Sequence, residues 1–172
     1  ELKVKFQDNI KIIQHAQRTY SKNYILNNKK QIADEIGSKI EELQKNGKKV
    51  GLITYRKLLI NNHKKESEYI EALTKADVTG YFFNIRGSNS FEDVDYLIIL
   101  GRPSIGGSIE EVGRSFNIID DYSEVNGTAL IEMKESGKFL KVNKKKFINP
   151  KMNVLYNQYS YAELSQVISR IR

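Results

Sequence analysis

Cysteine is absent from this sequence of 172 residues, and histidine is scarce. The absence of cysteine excludes a disulfide scaffold, a thiolate metal site, an iron–sulfur cluster and catalysis by a cysteine nucleophile. The two histidines, His15 and His63, stand far apart without ligand-like spacing, so we expect no metal site. No apolar run approaches the roughly 18 residues of a membrane-spanning helix, and no signal peptide is visible. We therefore expect a cytoplasmic protein with no membrane partner.

Positive charge is what the sequence has in excess, with a net charge of +7 at pH 7. Residues 1–86 hold 17 lysines and arginines against 10 acidic residues, whereas residues 87–172 hold 11 of each kind. A basic face binds phosphate backbones without sequence preference, because neutralised phosphates release counterions. A solvated, lysine-rich surface explains the same composition, and charge alone leaves both interpretations open.

The N-terminal quarter predicts a strand and two helices. Leu2–Phe6 alternates as a strand does, and a helix is predicted from Asp8 towards Tyr20. Ser21–Asn28 is predicted to be irregular. A clearly amphipathic helix follows and ends at Asn46–Gly47, which supplies the stop signal. Its apolar positions are Ile32, Ile36, Ile40 and Leu43.

Three apolar segments predict buried strands, at 49–54, 78–83 and 96–100. Residues 56–75 are predicted to be helical, in one or two pieces, and a further helix is predicted around 109–118. Strands that alternate with helices indicate an α/β fold with a mainly parallel sheet, covered on both faces.

The last third carries a hairpin pattern and a helix-start pattern. Thr128–Met133 and Phe139–Val142 flank Ser136–Gly137 and resemble a β-hairpin. Ser160 and Glu163 form a capping-box pattern, which predicts that the last helix begins there. The buried stripe of this helix is predicted to be Leu164, Val167, Ile168 and Ile171.

The residues that follow the predicted strands are the first candidates for a binding site, because ligands of α/β sheets collect beyond the carboxyl ends of strands. Each of these segments combines an arginine with small residues, hydroxyls or amides, the donors that suit a phosphate. The segments are Thr54-Tyr55-Arg56, Asn84–Asn89 and Gly101-Arg102-Pro103. Ordinary turns are the simpler explanation for any one segment, and the three segments together leave both interpretations open.

A polar row on the last helix is the second candidate. Glu163, Gln166 and Arg170 are spaced three and four apart, which predicts that they line the side opposite the apolar stripe. A glutamine and an arginine presented together on one helix would be able to contact the polyphosphate of a bound nucleotide. The alternative interpretation is that this row is a solvated helix face.

Three segments, in order, resemble motifs of superfamily 2 helicases. Arg86-Gly87-Ser88-Asn89 and the strand after it look like motif V, and Gln166-Val-Ile-Ser-Arg170-Ile-Arg172 looks like motif VI. Lys49–Thr54 fits the weaker motif IV. Leu100-Gly101-Arg102-Pro103 is similar to forms seen in helicase-like proteins of viruses and plasmids, particularly archaeal ones, which would place the protein in a host cytoplasm.

The resemblance implies a RecA-like three-layer α/β/α fold over residues 48–172, with residues 1–47 packing on it as part of a single domain. It also implies the second of two motor domains that clamp ATP between them while single-stranded DNA or RNA crosses their surface. The sequence has no Walker A loop, which needs G-x-x-x-x-G-K-[ST]. The first RecA-like domain would therefore lie in a longer parent chain, which also fits a start at Glu1, and would hold most of the Mg²⁺.

The resemblance assigns a role to each candidate residue. Arg170, helped by Arg172, would neutralise charge that develops on the γ-phosphate. The nucleotide would be oriented and contacted by Gln166, Gly87 and Asn89. The nucleic acid would be contacted by Thr54, Tyr55, Arg56, Arg86 and Ser88.

Three positions depart from the family pattern. Ser169 stands where motif VI usually has glycine, and Asn89 stands where many members have aspartate. A second finger at the usual spacing, three residues after Arg170, is absent, and Arg172 would take its place. A nucleic-acid-binding module without catalytic activity is the alternative function. A Walker A loop upstream of Glu1 in the parent reading frame would favour the helicase.

Overall fold

The computed structural model describes residues 13, 20–61, 68–85, 89–103, 108–118, 124–133 and 138–168. These residues form two compact units. The first contains Ile13 and the described residues of Tyr20–Pro103 and Glu163–Arg172, and the second contains those of Ser104–Ala162. The predicted boundary between residues 47 and 48 lies inside the first unit. The strand predicted at Leu2–Phe6 and nearly all of the helix predicted after Asp8 lie outside the described residues.

Two helices open the first unit. Helix α1 (Lys22–Asn27) occupies the segment predicted to be irregular, so that prediction is wrong. Its cap is Ser21, whose hydroxyl accepts the N–H of Tyr24 at 3.2 Å. A six-residue helix is too short to show an apolar period, which is why the pattern missed it. Helix α2 (Lys29–Lys45) confirms the predicted amphipathic helix.

A parallel sheet of three strands follows, which confirms an α/β arrangement. The strands are β1 (Val50–Thr54), β2 (Val78–Tyr81) and β3 (Tyr96–Ile99), in the order β2-β1-β3. Val50 pairs with Tyr96 and Gly51 with Val78, both in parallel register. Helix α3 (Arg56–Leu59) and a 3-10 helix (Glu71–Lys75) lie between β1 and β2. Every residue of β1 is buried, as expected for a central strand.

Alternate residues of β1 face two different apolar clusters. Val50 and Leu52 belong to the cluster that also contains buried side chains of α1, α2, α3 and the 3-10 helix: Ile25, Ile32, Ile40, Leu58 and Leu73. Ile53 points to the other cluster, with Phe82, Ile85, Phe91 and Val167. The period of two along the strand thus separates two layers of packing, one on each face of the sheet.

Phe91 fits the second face because two strands carry glycine there. A Cβ at Gly51 would lie 2.9 Å from Cδ1 of Phe91, and a Cβ at Gly80 would lie 2.9 Å from Cζ of the same ring. Phe91 itself is buried. Its ring therefore lies directly on the backbones of β1 and β2, in space that any larger residue would fill.

Two aspartates hold the amino end of β1. Asp77, just before β2, accepts the N–H of Val50 at 2.8 Å, and Asp95, just before β3, accepts the N–H of Lys49 at 2.8 Å. These backbone donors lower the pKa of both carboxyl groups, and Lys48 adds to the effect at Asp95. The charged forms of both aspartates therefore stabilise the folded strand.

The second unit contains helix α4 (Ser108–Ser115) and a long hairpin of β4 (Glu124–Met133) and β5 (Lys138–Phe147). The two strands pair antiparallel from Glu124 with Phe147 to Met133 with Lys138, which confirms the predicted hairpin and extends it. Most of helix α5 (Pro150–Ile168) also belongs to this unit, and its last residues belong to the first. The core of the second unit contains Ile109, Ile118, Phe147 and Met152.

The start of α5 corrects the capping-box prediction. The helix begins ten residues earlier, where Oδ1 of Asn149 accepts the N–H of Lys151 at 2.9 Å and Pro150 occupies the first turn. Ser160 lies inside the helix and is buried, so its hydroxyl caps nothing. Asn149–Pro150 is itself a helix-start signal, and it precedes the capping-box pattern of Ser160 and Glu163.

Candidate nucleic-acid and nucleotide interface

The carboxyl ends of the three strands define the candidate site. The chain runs from β1 to β2 on one side and then crosses to β3 on the other side of β1. In parallel sheets, ligands bind outside the carboxyl ends at the point where the direction of winding reverses. The described segments at this edge belong to the first unit and are 54–56, 82–85 and 100–103.

The Tyr55 ring fills the space between the ends of β1 and β3. Gly101 has a φ of +104°, and a Cβ there would lie only 2.5 Å from Cε2 of Tyr55. The Tyr55 hydroxyl donates to the carbonyl of Arg102 at 3.0 Å and accepts the Arg102 N–H at 3.1 Å. Gly101 is thus required twice, by its backbone conformation and by the close approach of the ring.

The side chain of Thr54 also makes a hydrogen bond within the protein. It is fully buried, and its hydroxyl donates to the carbonyl of Leu100 at 2.8 Å. Together Thr54 and Tyr55 connect the ends of β1 and β3 through side chains. Their predicted contact with nucleic acid stays a prediction, and the contacts seen here position the edge of the sheet.

Arg56 is the exposed residue of the predicted trio. It begins α3, and its guanidinium carbon lies 5.7 Å from the centroid of the Tyr81 ring, within range of a cation–π interaction. Arg102, at the end of β3, is exposed as well. The carboxyl edge of the sheet therefore presents positive charge to solvent.

The chain makes a sharp turn directly after β2. The Phe82 N–H donates to the carbonyl of Thr54 at 3.1 Å, and its buried ring packs edge-on against Tyr55, with centroids 5.4 Å apart. Phe83 has a φ of +68°, and its side chain is 39% exposed. A left-handed conformation costs an L-residue with a Cβ about 1–2 kcal/mol, so this phenylalanine occupies a position that favours glycine. The predicted strand 78–83 is therefore two residues too long.

Glu163 holds this turn from the last helix. Its side chain is fully buried, and Oε1 accepts the N–H of Phe83. The spacing of Glu163, Gln166 and Arg170 predicts that Glu163 lies on the polar side of the helix, and that prediction is wrong. Glu163 and Val167 are four residues apart and share a face, so the burial of Val167 carries Glu163 inward with it. This spacing is the signal that could have found it.

The end of α5 lies against the segments that flank the motif V-like loop. Val167 is fully buried in a cluster with Ile53, Phe82, Ile85 and Phe91. Ile85 immediately precedes the loop and Phe91 follows it. Gln166, the neighbour of Val167, is exposed, and so is Asn89 on the loop itself. The structure thus brings the helix that carries the motif VI-like residues to the base of the motif V-like loop.

Five predicted site residues lie outside the described residues: Arg86, Gly87, Ser88, Arg170 and Arg172. Their roles stay predictions. The amides of Asn89 and Gln166 are hydrogen-bonding groups suited to a nucleotide, and neither is a preferred ligand of Mg²⁺. Among the residues that the structure describes, no three His, Asp or Glu side chains are grouped to hold a metal ion.

No helix in the described part of the chain is long and apolar enough to cross a membrane. Comparison with known proteins gives no relative: no family model, no curated protein and no solved structure matches this chain.

Proposed function

We propose that this chain is the second motor domain of a cytoplasmic ATP-dependent helicase or translocase. It would supply motifs IV, V and VI to an ATP site shared with a first RecA-like domain of the same parent protein. Its fold would then be the RecA-like three-layer form of the α/β arrangement. The helicase resemblance of the sequence is the basis of this proposal, and the geometry of the first unit supports it.

The packing of Val167 carries most of that support. Motif V and motif VI work on one nucleotide, so a domain that uses both must hold their segments side by side. Val167 contacts the same apolar cluster as Ile85 and Phe91, which flank the motif V-like loop. Val167 lies 76 residues after Phe91 and 82 residues after Ile85 in the sequence. A chance motif match would not require them to meet.

The proposed roles follow the position of each residue. Arg56 would contact the strand's phosphates, with Arg86 and Ser88 from the loop, while Thr54 and Tyr55 would shape the edge beneath them. Gln166, Asn89 and Gly87 would bind the nucleotide. Arg170, with Arg172, would neutralise charge on the γ-phosphate, a role that suits the planar fork of arginine. ATP bound with Mg²⁺ supplies the phosphoryl group, and the metal would be held mainly by the first domain.

The decisive test removes Arg170 in the parent protein. An arginine finger stabilises charge that develops in the transition state, so Arg170→Ala should slow ATP hydrolysis about 10³–10⁵-fold and change nucleotide affinity little. Arg170→Lys should rescue little, and Gln166→Ala should be milder. ATPase rate, nucleotide affinity and melting temperature are measured for each variant. Near-normal turnover of Arg170→Ala would contradict the proposal.

The 172-residue chain offers a second test. It should not hydrolyse ATP measurably, with or without single strands, because it has no Walker A loop. It should bind single strands weakly, with an affinity that falls as salt rises. Hydrolysis by the purified chain that survives Arg170→Ala would contradict a shared ATP site. Binding that is independent of salt would contradict a phosphate-binding edge.

A further inference from the structure

We propose that Phe83 is a stacking platform for an unpaired base of the bound strand. This inference rests on the proposed function, but it adds a contact that neither the motif resemblance nor the basic composition implies. Motif-type contacts reach phosphates and the nucleotide, whereas Phe83 would contact the face of a base. Aromatic rings stack on any base, so the contact adds affinity without selecting a sequence.

The conformation of Phe83 is the first argument. At a φ of +68° glycine is the favourable residue, yet this position holds a large aromatic side chain that is 39% exposed. Residues held in sparsely populated backbone regions cluster at sites of function. The adjacent Phe82 is the phenylalanine that packs into the core, because its ring is buried against Tyr55. Core packing therefore does not explain the second phenylalanine at position 83.

The anchoring of the turn is the second argument. The N–H of Phe83 is held by the fully buried carboxylate of Glu163, and the N–H of Phe82 is held by the carbonyl of Thr54. Two consecutive backbone N–H groups that lead into the turn are therefore fixed. A ring presented on a fixed backbone has little entropy to lose on binding, which is what a stacking platform requires.

The positive charge near Phe83 is the third argument, and it indicates the class of ligand. Arg56 lies over the ring of Tyr81, two residues before Phe83, and Arg86 follows three residues after it in the sequence. An exposed aromatic ring at an edge that also carries the exposed Arg56 and Arg102 matches the chemistry of single-stranded nucleic acid, in which bases and phosphates alternate. A duplex offers no free base face, so single strands are the expected partner.

The absence of tryptophan from the chain allows a direct test. Phe83→Trp introduces a single tryptophan at the proposed platform, and Phe116→Trp places one at a phenylalanine of the second unit that is 63% exposed. Each protein is titrated with oligothymidylate, oligouridylate, a strand of the same length without bases, and a blunt duplex. We expect single strands with bases to quench the emission of Phe83→Trp, and no strand to quench that of Phe116→Trp.

Affinity provides the second readout. Loss of one base–aromatic stack should raise the Kd for single strands about five- to one-hundred-fold in Phe83→Ala. Phe83→Leu keeps an apolar side chain, so it should retain the fold and still lose affinity. Phe116→Ala should bind as the unmodified chain does. Melting temperatures are recorded so that affinity is compared among folded proteins.

The outcomes separate this inference from the proposed function. Salt-dependent binding without quenching at Phe83→Trp, and with unchanged affinity in Phe83→Leu, would overturn the platform alone. Equal quenching by the strand without bases would show proximity to phosphates and would also overturn it. Failure of the unmodified chain to bind any strand would overturn both proposals.

Discussion

The buried carboxylate of Glu163 accepts the backbone N–H of Phe83, across 80 residues of sequence. This hydrogen bond joins the last helix to the turn that follows β2, at the edge of the sheet where ligands are expected. It fixes the peptide plane that precedes Phe83, the residue held at a φ of +68°.

Removal of that acceptor should destabilise the protein. Glu163→Leu leaves the Phe83 N–H without its partner and should lower the free energy of unfolding by about 1–3 kcal/mol. Glu163→Gln keeps an oxygen acceptor and should cost less. Urea unfolding of both variants tests this, with Glu111→Leu on the exposed side of α4 as the control. Full stability of Glu163→Leu would show that the hydrogen bond does not hold the turn.

A methyl group at Gly51 should be destabilising because Phe91 occupies its place. The added Cβ would lie 2.9 Å from the ring, so Gly51→Ala should cost about 1–3 kcal/mol. In a protein that also carries Phe91→Leu, the same methyl should cost less. A double-mutant cycle measured by denaturant unfolding gives this difference. Additive costs would mean that the glycine and the ring do not share space.

Acid should weaken the amino end of β1. The pKa values of Asp77 and Asp95 are lowered in the folded state, so both groups contribute stability above their ordinary pKa of 3.8 and lose it as pH falls through the folded values. Asp77→Asn or Asp95→Asn should therefore flatten the fall in stability below about pH 4. Unfolding measured between neutral and acidic pH tests this, with Asp34→Asn, an exposed position of α2, as the control. An unchanged pH profile in both variants would contradict the assignment.

Substitutions at Thr54 and Arg56 should have different effects, the first on the stability of the fold and the second on the binding of single strands. Thr54→Val removes the hydroxyl that donates to Leu100 and should lower the free energy of unfolding by about 0.5–1.5 kcal/mol. Arg56→Ala should leave stability nearly unchanged and should reduce the salt dependence of single-strand binding by about one phosphate contact. Titrations at several salt concentrations test the second statement. A lower affinity in Thr54→Val at unchanged stability would instead indicate a direct contact by the threonine.

Local sequence patterns were sufficient to predict a helix or strand where the spacing of its apolar residues identifies it. Ile32, Ile40 and Leu43 recur at helical spacing and are buried along α2, while the uninterrupted apolar run of β1 marks a central strand. The hairpin of β4 and β5 follows from its two flanking segments and the turn between them. In each case the information lies within a few neighbouring residues.

Tertiary structure decided the features that depend on distant partners. The sequence contains Glu163, Phe83 and Tyr55, but no local pattern indicates that the first accepts the N–H of the second, that the second is exposed at the end of a strand, or that the third fills the space above Gly101. Each of these features depends on a contact with a residue far away in the sequence, either a hydrogen bond to a backbone group or close packing against it. Local sequence patterns therefore predict α2, the three strands and the hairpin, whereas packing between distant segments sets the edge at which a ligand would bind.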